Sequence, residues 1–180
     1  MSFYTNPFFW ALVSLCGLYG GGLVVSEYRI GRNWGVVTLA LTLVTIGRIL
    51  LVLPFCEQPR FDLGIWNWVI GGLVLLIAAL IAAPTISVKW WRAPRRGMKL
   101  HTTGMYAMVR HPMYLSEVLW PIGWSFMWGS TYGLALVPMW WIGFQIHVLA
   151  EEVMLVRELG DEYTDYMKKV PSSIVPGLGR

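Results

Sequence analysis

The segment Gly104-Met-Tyr-Ala-Met-Val-Arg-His-Pro-Met-Tyr114 joins a polar, cation-containing turn to an apolar helix. Pro112 has a fixed φ and no N–H, so it suits the first position of a helix, and it biases the preceding His111 towards extended backbone. The helix start would then present free backbone N–H groups, those of Met113, Tyr114 and Leu115. Such a helix start favours anions. A His, an Arg and two Tyr surround this helix start. The combination indicates a site for a small charged cofactor.

The composition indicates a membrane protein with one domain. The chain has 180 residues, of which 56% are hydrophobic and 13% are charged, and it contains 11 Trp. This length predicts a single domain, residues 1–180. The excess of apolar over charged residues is typical of chains that enter a bilayer.

Five apolar runs predict an all-α integral membrane protein with about five transmembrane helices, since about 20 helical residues cross a core of about 30 Å. The runs are Phe8–Val25, Val36–Phe55, Ile65–Val88, Met113–Trp128 and Leu134–Ala150. The run Met113–Trp128 is shorter and contains Glu117 and Pro121, so it predicts a tilted, broken or re-entrant helix. The first run lacks a basic leader and a clear cleavage site, which favours a mature helix over a signal peptide.

The distribution of positive charge predicts the topology. Six Lys and Arg lie between residues 89 and 110, so this loop should be cytoplasmic. Alternation then places the N-terminus outside, the C-terminus inside, and every Lys and Arg except Arg48 and Arg60 in the cytoplasm. The predicted organisation is three N-terminal transmembrane helices (1–88), a cytoplasmic loop (89–112), a helical hairpin (113–150) and a cytoplasmic C-terminal cofactor-binding region (151–180).

Two classes of ligand are disfavoured. The basic loop borders bilayer spans, where anionic lipid head groups can use its charge, so nucleic acid is not an expected partner. Cys16 lies within a predicted helix and Cys56 lies at the end of one, and the two have no metal-ligand spacing. We expect both to be small buried side chains, and we expect no metal site.

Helical spacing continues beyond the last apolar run. A helix from Leu134 to Leu159 is about 39 Å long and would project into the cytoplasm. Glu151 and Glu152 lie where this helix leaves the bilayer, and His147 shares a face with Glu151. The two carboxylates are either a solvated helix end or groups that hold the ammonium, sulfonium or ribose hydroxyls of a cofactor.

A short amphipathic helix is predicted next. Gly160 is a plausible C-cap for the long helix. In residues 161–171, Tyr163, Tyr166 and Val170 recur at helical spacing with charged residues between them. This helix either closes over the site or is a purely structural interfacial helix.

The ordered set of motifs resembles the isoprenylcysteine carboxyl methyltransferase family, to which phospholipid methyltransferases are related. The resemblance covers Lys99 to Pro171 and rests on residues 104–114, the Glu151-Glu152 pair, Leu159-Gly-Asp-Glu-Tyr163 and Tyr166 to Pro171. It implies methylation of the carboxylate of a prenylated cysteine, with S-adenosyl-L-methionine bound at the cytoplasmic face. The cofactor-binding residues that it implies are Lys99, Leu100, His101, Tyr106, His111, Pro112, Met113, Tyr114 and Glu151.

The resemblance also implies an acceptor side. His147 matches a family position that faces the acceptor, so we expect it to orient the acceptor carboxylate, with Arg110 adding positive field and Glu152 as the third catalytic candidate. A carboxylate is already charged at neutral pH, so positioning and desolvation can replace a general base. Ser116 and Glu117 depart from the family pattern, which has Gly at the first position and an apolar or aromatic residue at the second.

Other interpretations stay open. Arg48 and Glu117, ionisable at membrane depth, are either functional groups or partners of each other. The same cofactor site would serve a lipid amine or thiol methyltransferase, in which His147 acts as a base. Two further classes are an NADPH-dependent membrane reductase, for which the chain lacks a glycine-rich fingerprint, and a non-catalytic helical membrane subunit. The expected partners are a lipophilic acceptor and membrane lipids, and the sequence leaves the oligomeric state open.

Overall fold

The computed structural model describes residues 2–20, 34–92 and 100–178, and the regular elements in these ranges are helical. The α-helices are α1 Pro7–Leu15, α2 Trp34–Val52, α3 Ile65–Arg92, α4 Pro112–Met127, α5 Thr131–Ala135, α6 Val137–Leu159 and α7 Asp161–Lys169. A π-helical turn, Cys16–Gly20, extends α1, and 3-10 turns lie at Phe3–Thr5 and Gly104–Ala107. The predicted all-α class is confirmed for these residues.

Two helical stretches are long and apolar enough to cross a membrane. They are Ile65–Thr85, with 21 residues, and Thr131–Leu159, with 29 residues. The second is about 43 Å long, which exceeds a hydrocarbon core of about 30 Å. Leu73, Leu76 and Leu80 on α3 are exposed, as suits side chains that face acyl chains. These features indicate membrane association, while the total of about five spans and the side of the C-terminal region stay predictions.

The structure corrects the sequence-based expectations at three points. Helix α3 continues to Arg92, so residues 89–92 of the predicted cytoplasmic loop are helical. Helix α4 is continuous through Pro121, which excludes the broken-helix alternative. Cys16 is exposed, whereas Cys56 is buried as predicted.

Arg48 joins α2 to α4 and explains why α4 continues through its proline. Pro121 has no N–H for the carbonyl four residues earlier, that of Glu117. Arg48 supplies the missing donor: its Nη1 donates to the Glu117 carbonyl at 2.8 Å, and its Nη2 donates to Glu117 Oε2 at 2.6 Å. The guanidinium lies 4.7 Å from the centre of the Trp120 ring and is 1% exposed. The pairing of Arg48 with Glu117, one of the two sequence-based alternatives, is confirmed.

The interior contains two clusters. The main core lies where α1, α2, α4 and α6 meet, and its buried members include Ala11, Leu51, Val118, Trp140, Phe144, Val148 and Ile174. Gly160, with a φ of 57°, turns the chain from α6 into α7 and so confirms the predicted helix end. The amphipathic helix α7 then buries its apolar face in the second cluster, which contains Tyr163, Tyr166, Val170, Leu100, Leu155 and Leu159.

Helices α3 and α4 approach each other closely through glycine. A Cβ added at Gly71 would lie 2.6 Å from the carbonyl oxygen of Gly123, and one at Gly123 would lie 2.8 Å from the carbonyl oxygen of Gly71. Small residues allow this approach of helix backbones. At the adjacent Gly72, a Cβ would meet nothing within 4 Å among the described residues. Only the first of these two neighbouring glycines on α3 therefore lies at the helix contact.

Gly71→Ala should destabilise the protein, because the added methyl group overlaps the backbone of α4; overpacking of this kind costs about 1–3 kcal/mol. Gly72→Ala is the matched control and should be neutral or stabilising by up to about 1 kcal/mol, since Ala favours helix over Gly. Thermal unfolding of the two variants in detergent measures the difference. Equal effects of both changes would contradict the close packing at Gly71.

Candidate functional site

Helix α4 begins as the sequence predicts. Pro112 occupies its first turn, and the preceding His111 has φ −127° and ψ 65° and is buried. The backbone N–H of Tyr114 donates to the His111 carbonyl at 3.1 Å. The expectation that this N–H is free at the helix start is therefore wrong, because a local bond across three residues satisfies it.

Arg110 lies buried between α4, α6 and the residues that follow α7. Its Nε donates to Glu152 Oε1 at 2.8 Å, and its Nη2 forms an ion pair with the same oxygen at 2.7 Å. Its Nη1 donates to the carbonyls of Val170 and Pro171, each at 2.7 Å. The three guanidinium nitrogens are thus bonded within the protein, so the contacts of Arg110 favour a role in holding these elements together.

A C-terminal segment, residues 170–174, runs alongside the start of α4. The backbone N–H of Arg110 donates to the Ser172 carbonyl at 3.0 Å, and that of His111 donates to the Ser173 carbonyl at 2.8 Å. Ser172, Ser173 and Ile174 are buried, and Ile174 enters the main core. The motifs recognised in the sequence end at Pro171, so this segment was not predicted. An available signal was the apolar Ile174-Val175 pair in a region assigned to the cytoplasm.

His111 lies between the two carboxylates of α6. Its Nε2 is 3.2 Å from Glu152 Oε1, and its Nδ1 is 3.6 Å from Glu151 Oε2. A ring with an acceptor next to each nitrogen is best satisfied when both nitrogens carry protons. Burial disfavours the charge, but hydrogen bonds and charges from Glu151 and Glu152 outweigh it, so the pKa of His111 is raised from its ordinary value.

The structure separates the roles of the two glutamates. Glu152 is buried against Arg110 and His111, with a side chain that is 5% exposed. The Glu151 side chain is 26% exposed, and its Oε2 accepts a hydrogen bond from the Tyr114 hydroxyl at 2.9 Å. Glu151 is therefore the glutamate that can reach a ligand, and Glu152 is the one that fixes the surrounding groups.

The loop before α4 closes one side of the site. Tyr166 on α7 donates its hydroxyl proton to the carbonyl of Tyr106 at 2.6 Å, and Leu100 packs against the α7 cluster. The rings of His101 and Tyr106 lie 6.2 Å apart. Burial and the charge of Glu151 raise the pKa of Tyr106, which places this loop in the field of the carboxylate. Helix α7 thus packs against the loop before α4, a contact that both sequence-based alternatives for this helix allow.

His147 lies beside Tyr114, with ring centres 6.4 Å apart. Its Nε2 is 2.8 Å from the carbonyl oxygen of Leu18, which only accepts, so Nε2 carries a proton. Its Nδ1 is then the nitrogen that can face a ligand. Phe144, one turn earlier on α6, packs 5.6 Å from the Tyr114 ring. Leu18 and Phe144 are neighbours of the site that were not predicted from the sequence, because they lie in apolar runs.

The structure thus brings most of the predicted site residues to one end of the helix bundle. Direct contacts join Arg110, His111, Tyr114, Glu151 and Glu152. Pro112 and Met113 adjoin them in the chain, and His147 lies beside Tyr114. In the preceding loop, Leu100 packs against the α7 cluster and His101 lies near Tyr106. Lys99, the remaining predicted cofactor residue, lies outside the described residues. Among the described residues, no group of three His, Cys, Asp or Glu side chains is placed to hold a metal ion.

The chain belongs to the phospholipid methyltransferase family, whose model matches residues 62–162. The matched region contains the start of α4 and the His147–Glu152 face of α6. A helical bundle with an apolar surface and a charged site at one helix start is thereby linked to methyl transfer in known proteins.

Known relatives include methyltransferases and a reductase. A probable protein-S-isoprenylcysteine O-methyltransferase of Oryza sativa subsp. indica is 32% identical over 76% of this chain and 74% of its own length. The protein-S-isoprenylcysteine O-methyltransferase of Schizosaccharomyces pombe is 40% identical over 42% of this chain, and the match spans 32% of that protein. A Delta(14)-sterol reductase of Mus musculus is 28% identical over 44% of this chain and 20% of its own length.

Glu152→Ala should destabilise the fold far more than Glu151→Ala. The first change leaves Arg110 buried without its carboxylate, and breaking a buried ion pair costs about 3–5 kcal/mol. The second removes a partly exposed carboxylate and should cost about 1 kcal/mol. Thermal unfolding in detergent separates the two, and similar losses would show that the burial difference has no energetic consequence.

The contribution of His111 to stability should depend on pH. Its folded pKa is raised above the ordinary value of 6.5, so this contribution is fully present below pH 6.5 and is lost as the pH rises through the folded pKa. Each unit of increase is equivalent to about 1.4 kcal/mol. The unfolding temperature of the wild type should exceed that of His111→Gln most clearly at low pH. The matched control is His101→Gln, and a pH-independent difference for His111→Gln would contradict the raised pKa.

Proposed function

We propose that this chain transfers a methyl group from S-adenosyl-L-methionine to the carboxylate of a prenylated cysteine or a similar lipophilic acceptor. The observation that carries the proposal is the juxtaposition of His111 with Glu151 and Tyr114 at the start of α4. The cationic imidazole of His111 next to the partly exposed carboxylate of Glu151 is complementary to an amino acid zwitterion. The methionine part of S-adenosyl-L-methionine is such a zwitterion.

The described residues fit this donor. His111, held with both nitrogens next to carboxylates, supplies positive charge at the start of α4 for the methionine carboxylate. Glu151 supplies the opposing charge for the ammonium or for ribose hydroxyls. We assign the walls of the same site to Leu100, His101, Tyr106, Pro112, Met113 and Tyr114, and we keep Lys99, which lies outside the described residues, as a candidate from the sequence. When bound, the donor supplies an electrophilic methyl group on a sulfonium.

The chain itself is needed for positioning and desolvation. An acceptor carboxylate is charged at neutral pH and needs no base. Alignment of the two reactants, with water excluded by the aromatic side chains of Tyr114 and Phe144, lowers the barrier to displacement. The hydrogen bond to the Leu18 carbonyl fixes the proton of His147 on Nε2. We assign His147 to orienting the acceptor.

Arg110 and Glu152 have supporting roles in this proposal. Their side chains are bonded to each other, to His111 and to the C-terminal segment. We therefore assign them to holding His111 in place, and to setting the electrostatic field at the site, without contact with the reacting atoms.

The approach of the two substrates follows from the membrane setting. The basic residues between 89 and 110 assign this end of the bundle to the cytoplasm. The donor would enter from that side. The apolar tail of the acceptor would enter laterally from the bilayer, because the helices expose apolar faces.

A lipid amine is the second candidate acceptor. The family description names phospholipid methyltransferases, and an amine must lose a proton during transfer. His147 offers Nδ1 for that proton, because Nε2 is committed to the Leu18 carbonyl.

Binding of S-adenosylhomocysteine to the detergent-purified protein, measured by calorimetry, tests the cofactor. We expect binding in the micromolar range, about −8 kcal/mol, with a loss of about tenfold or more in His111→Ala and Glu151→Ala. Glu158→Ala, an exposed glutamate on the same helix, is the control and should bind like the wild type. A folded wild type that binds NADPH and not S-adenosylhomocysteine would replace the proposal with a reductase.

A further inference from the structure

Glu117 on α4 presents one carboxylate oxygen outward. Its Oε2 accepts from Arg48 Nη2 at 2.6 Å and from Trp120 Nε1 at 3.1 Å. Its Oε1 has no hydrogen-bond partner among the residues that the structure describes. The Glu117 side chain is 33% exposed, whereas that of Arg48 is 1% exposed. The guanidinium of the pair is thus buried, whereas part of its carboxylate is accessible.

The position of Glu117 makes this exposure costly. It lies five residues into α4, about 7.5 Å along the helix from Pro112, on a helix that the sequence places in the membrane. A carboxylate at such a depth is unfavourable unless it is paired, and an ionisable group there is by default a functional candidate. Pairing of Arg48 with one oxygen only leaves room for a donor at the other.

Glu117 is also continuous with the proposed methyl-transfer site. Tyr114 and Glu117 are three residues apart and share a face of α4. The Phe144 ring lies 5.6 Å from the Tyr114 ring and 5.6 Å from the guanidinium carbon of Arg48. Tyr114 bonds to Glu151 at the cofactor end. Tyr114, Phe144 and Glu117 therefore form a continuous surface, the proposed reaction wall, that extends from the Glu151 carboxylate to Glu117.

We propose that Glu117 determines acceptor specificity by accepting a hydrogen bond from an N–H group of the lipophilic acceptor, close to the group that is methylated. The proposal rests on the methyltransferase function proposed above. Two sources share this chemistry: the amide N–H of an N-acylated prenylcysteine and the ammonium of a lipid amine. Arg48 and Trp120 hold the Glu117 carboxylate in place through Oε2, and Oε1 accepts the hydrogen bond from the acceptor N–H.

The arrangement also orients an acceptor that has both a carboxylate and an N–H. The negative charge of Glu117 repels the acceptor carboxylate, which is then directed to the end of the wall where His111 and His147 lie. The N–H is directed towards Glu117. Such opposed contacts fix one orientation of the reacting oxygen relative to the donor.

The test compares two acceptors that differ only in the amide. N-acetyl-S-farnesylcysteine carries the amide N–H, and 3-(farnesylthio)propionate keeps the lipid, thioether and carboxylate without it. We expect the wild type to favour the first by about tenfold in kcat/KM, mainly through KM, as suits one hydrogen bond to a charged group. Methylation of phosphatidylethanolamine vesicles forms the third arm and identifies an ammonium source.

Two variants keep the test independent of folding. Arg48→Met combined with Glu117→Leu removes both charges, which avoids a buried unpaired guanidinium. Glu117→Gln keeps the size and one carbonyl oxygen for Arg48. In both, the preference for the amide acceptor should fall to about one, while affinity for S-adenosylhomocysteine stays within about twofold of the wild type, because Glu117 lies outside the cofactor contacts.

The outcomes are distinguishable. No binding of S-adenosylhomocysteine by the folded wild type would remove the proposed function itself. Binding with an unchanged acceptor preference in both variants would overturn the role of Glu117 and leave the methyltransferase in place. A wild type that binds the donor analogue and turns over both carboxylate acceptors equally, without methylating the lipid amine, would overturn it too, as would one that methylates none of the three acceptors.

Discussion

The ion pair of Arg110 and Glu152 determines the geometry of the site. The guanidinium bonds the carboxylate and two carbonyls of the C-terminal segment, while the same carboxylate oxygen faces His111. A buried pair of this kind is tolerated only when its donors and acceptors are used, because each charge has lost its water. Three elements that are distant in sequence, the start of α4, the C-terminal half of α6 and residues 170–173, are therefore held in one arrangement. The orientation of His111 follows from it.

Arg48 on α2, which meets α4 further along from the site, is a second buried guanidinium whose donors are bonded within the protein. It also bonds a carboxylate and backbone carbonyls, those of Val44 and Glu117. Both sites need several donors in one plane, which a guanidinium has and an ammonium lacks. Helix α4 is thus fixed at its start by Arg110 and at its proline by Arg48. The face of α4 between these two points carries Tyr114 and Glu117, so the proposed reaction wall lies on the most firmly held part of the helix.

Local chemistry was readable from the sequence, whereas long-range contacts were not. The helix start at Pro112, the turn at Gly160 and the buried face of α7 follow from backbone restrictions and periodicity, and the structure confirms them. The separation of Glu151 from Glu152 depends on which helix face meets Arg110, and no periodic pattern fixes that. The contact of His147 with Leu18 joins residues 129 apart. The C-terminal segment has no regular structure, so only its apolar residues pointed to burial.

The entry of Ile174 into the main core has a consequence for biogenesis. Synthesis proceeds from the N-terminus, so residues 172–174 are made after every helix described above. Until they arrive, the N–H groups of Arg110 and His111 lack their carbonyl partners, and the core of α4 and α6 lacks one buried side chain. The helices can associate before that point, but the contacts around His111 cannot be completed. The start of α4 therefore reaches the arrangement described above only after residues 172–174 have been made.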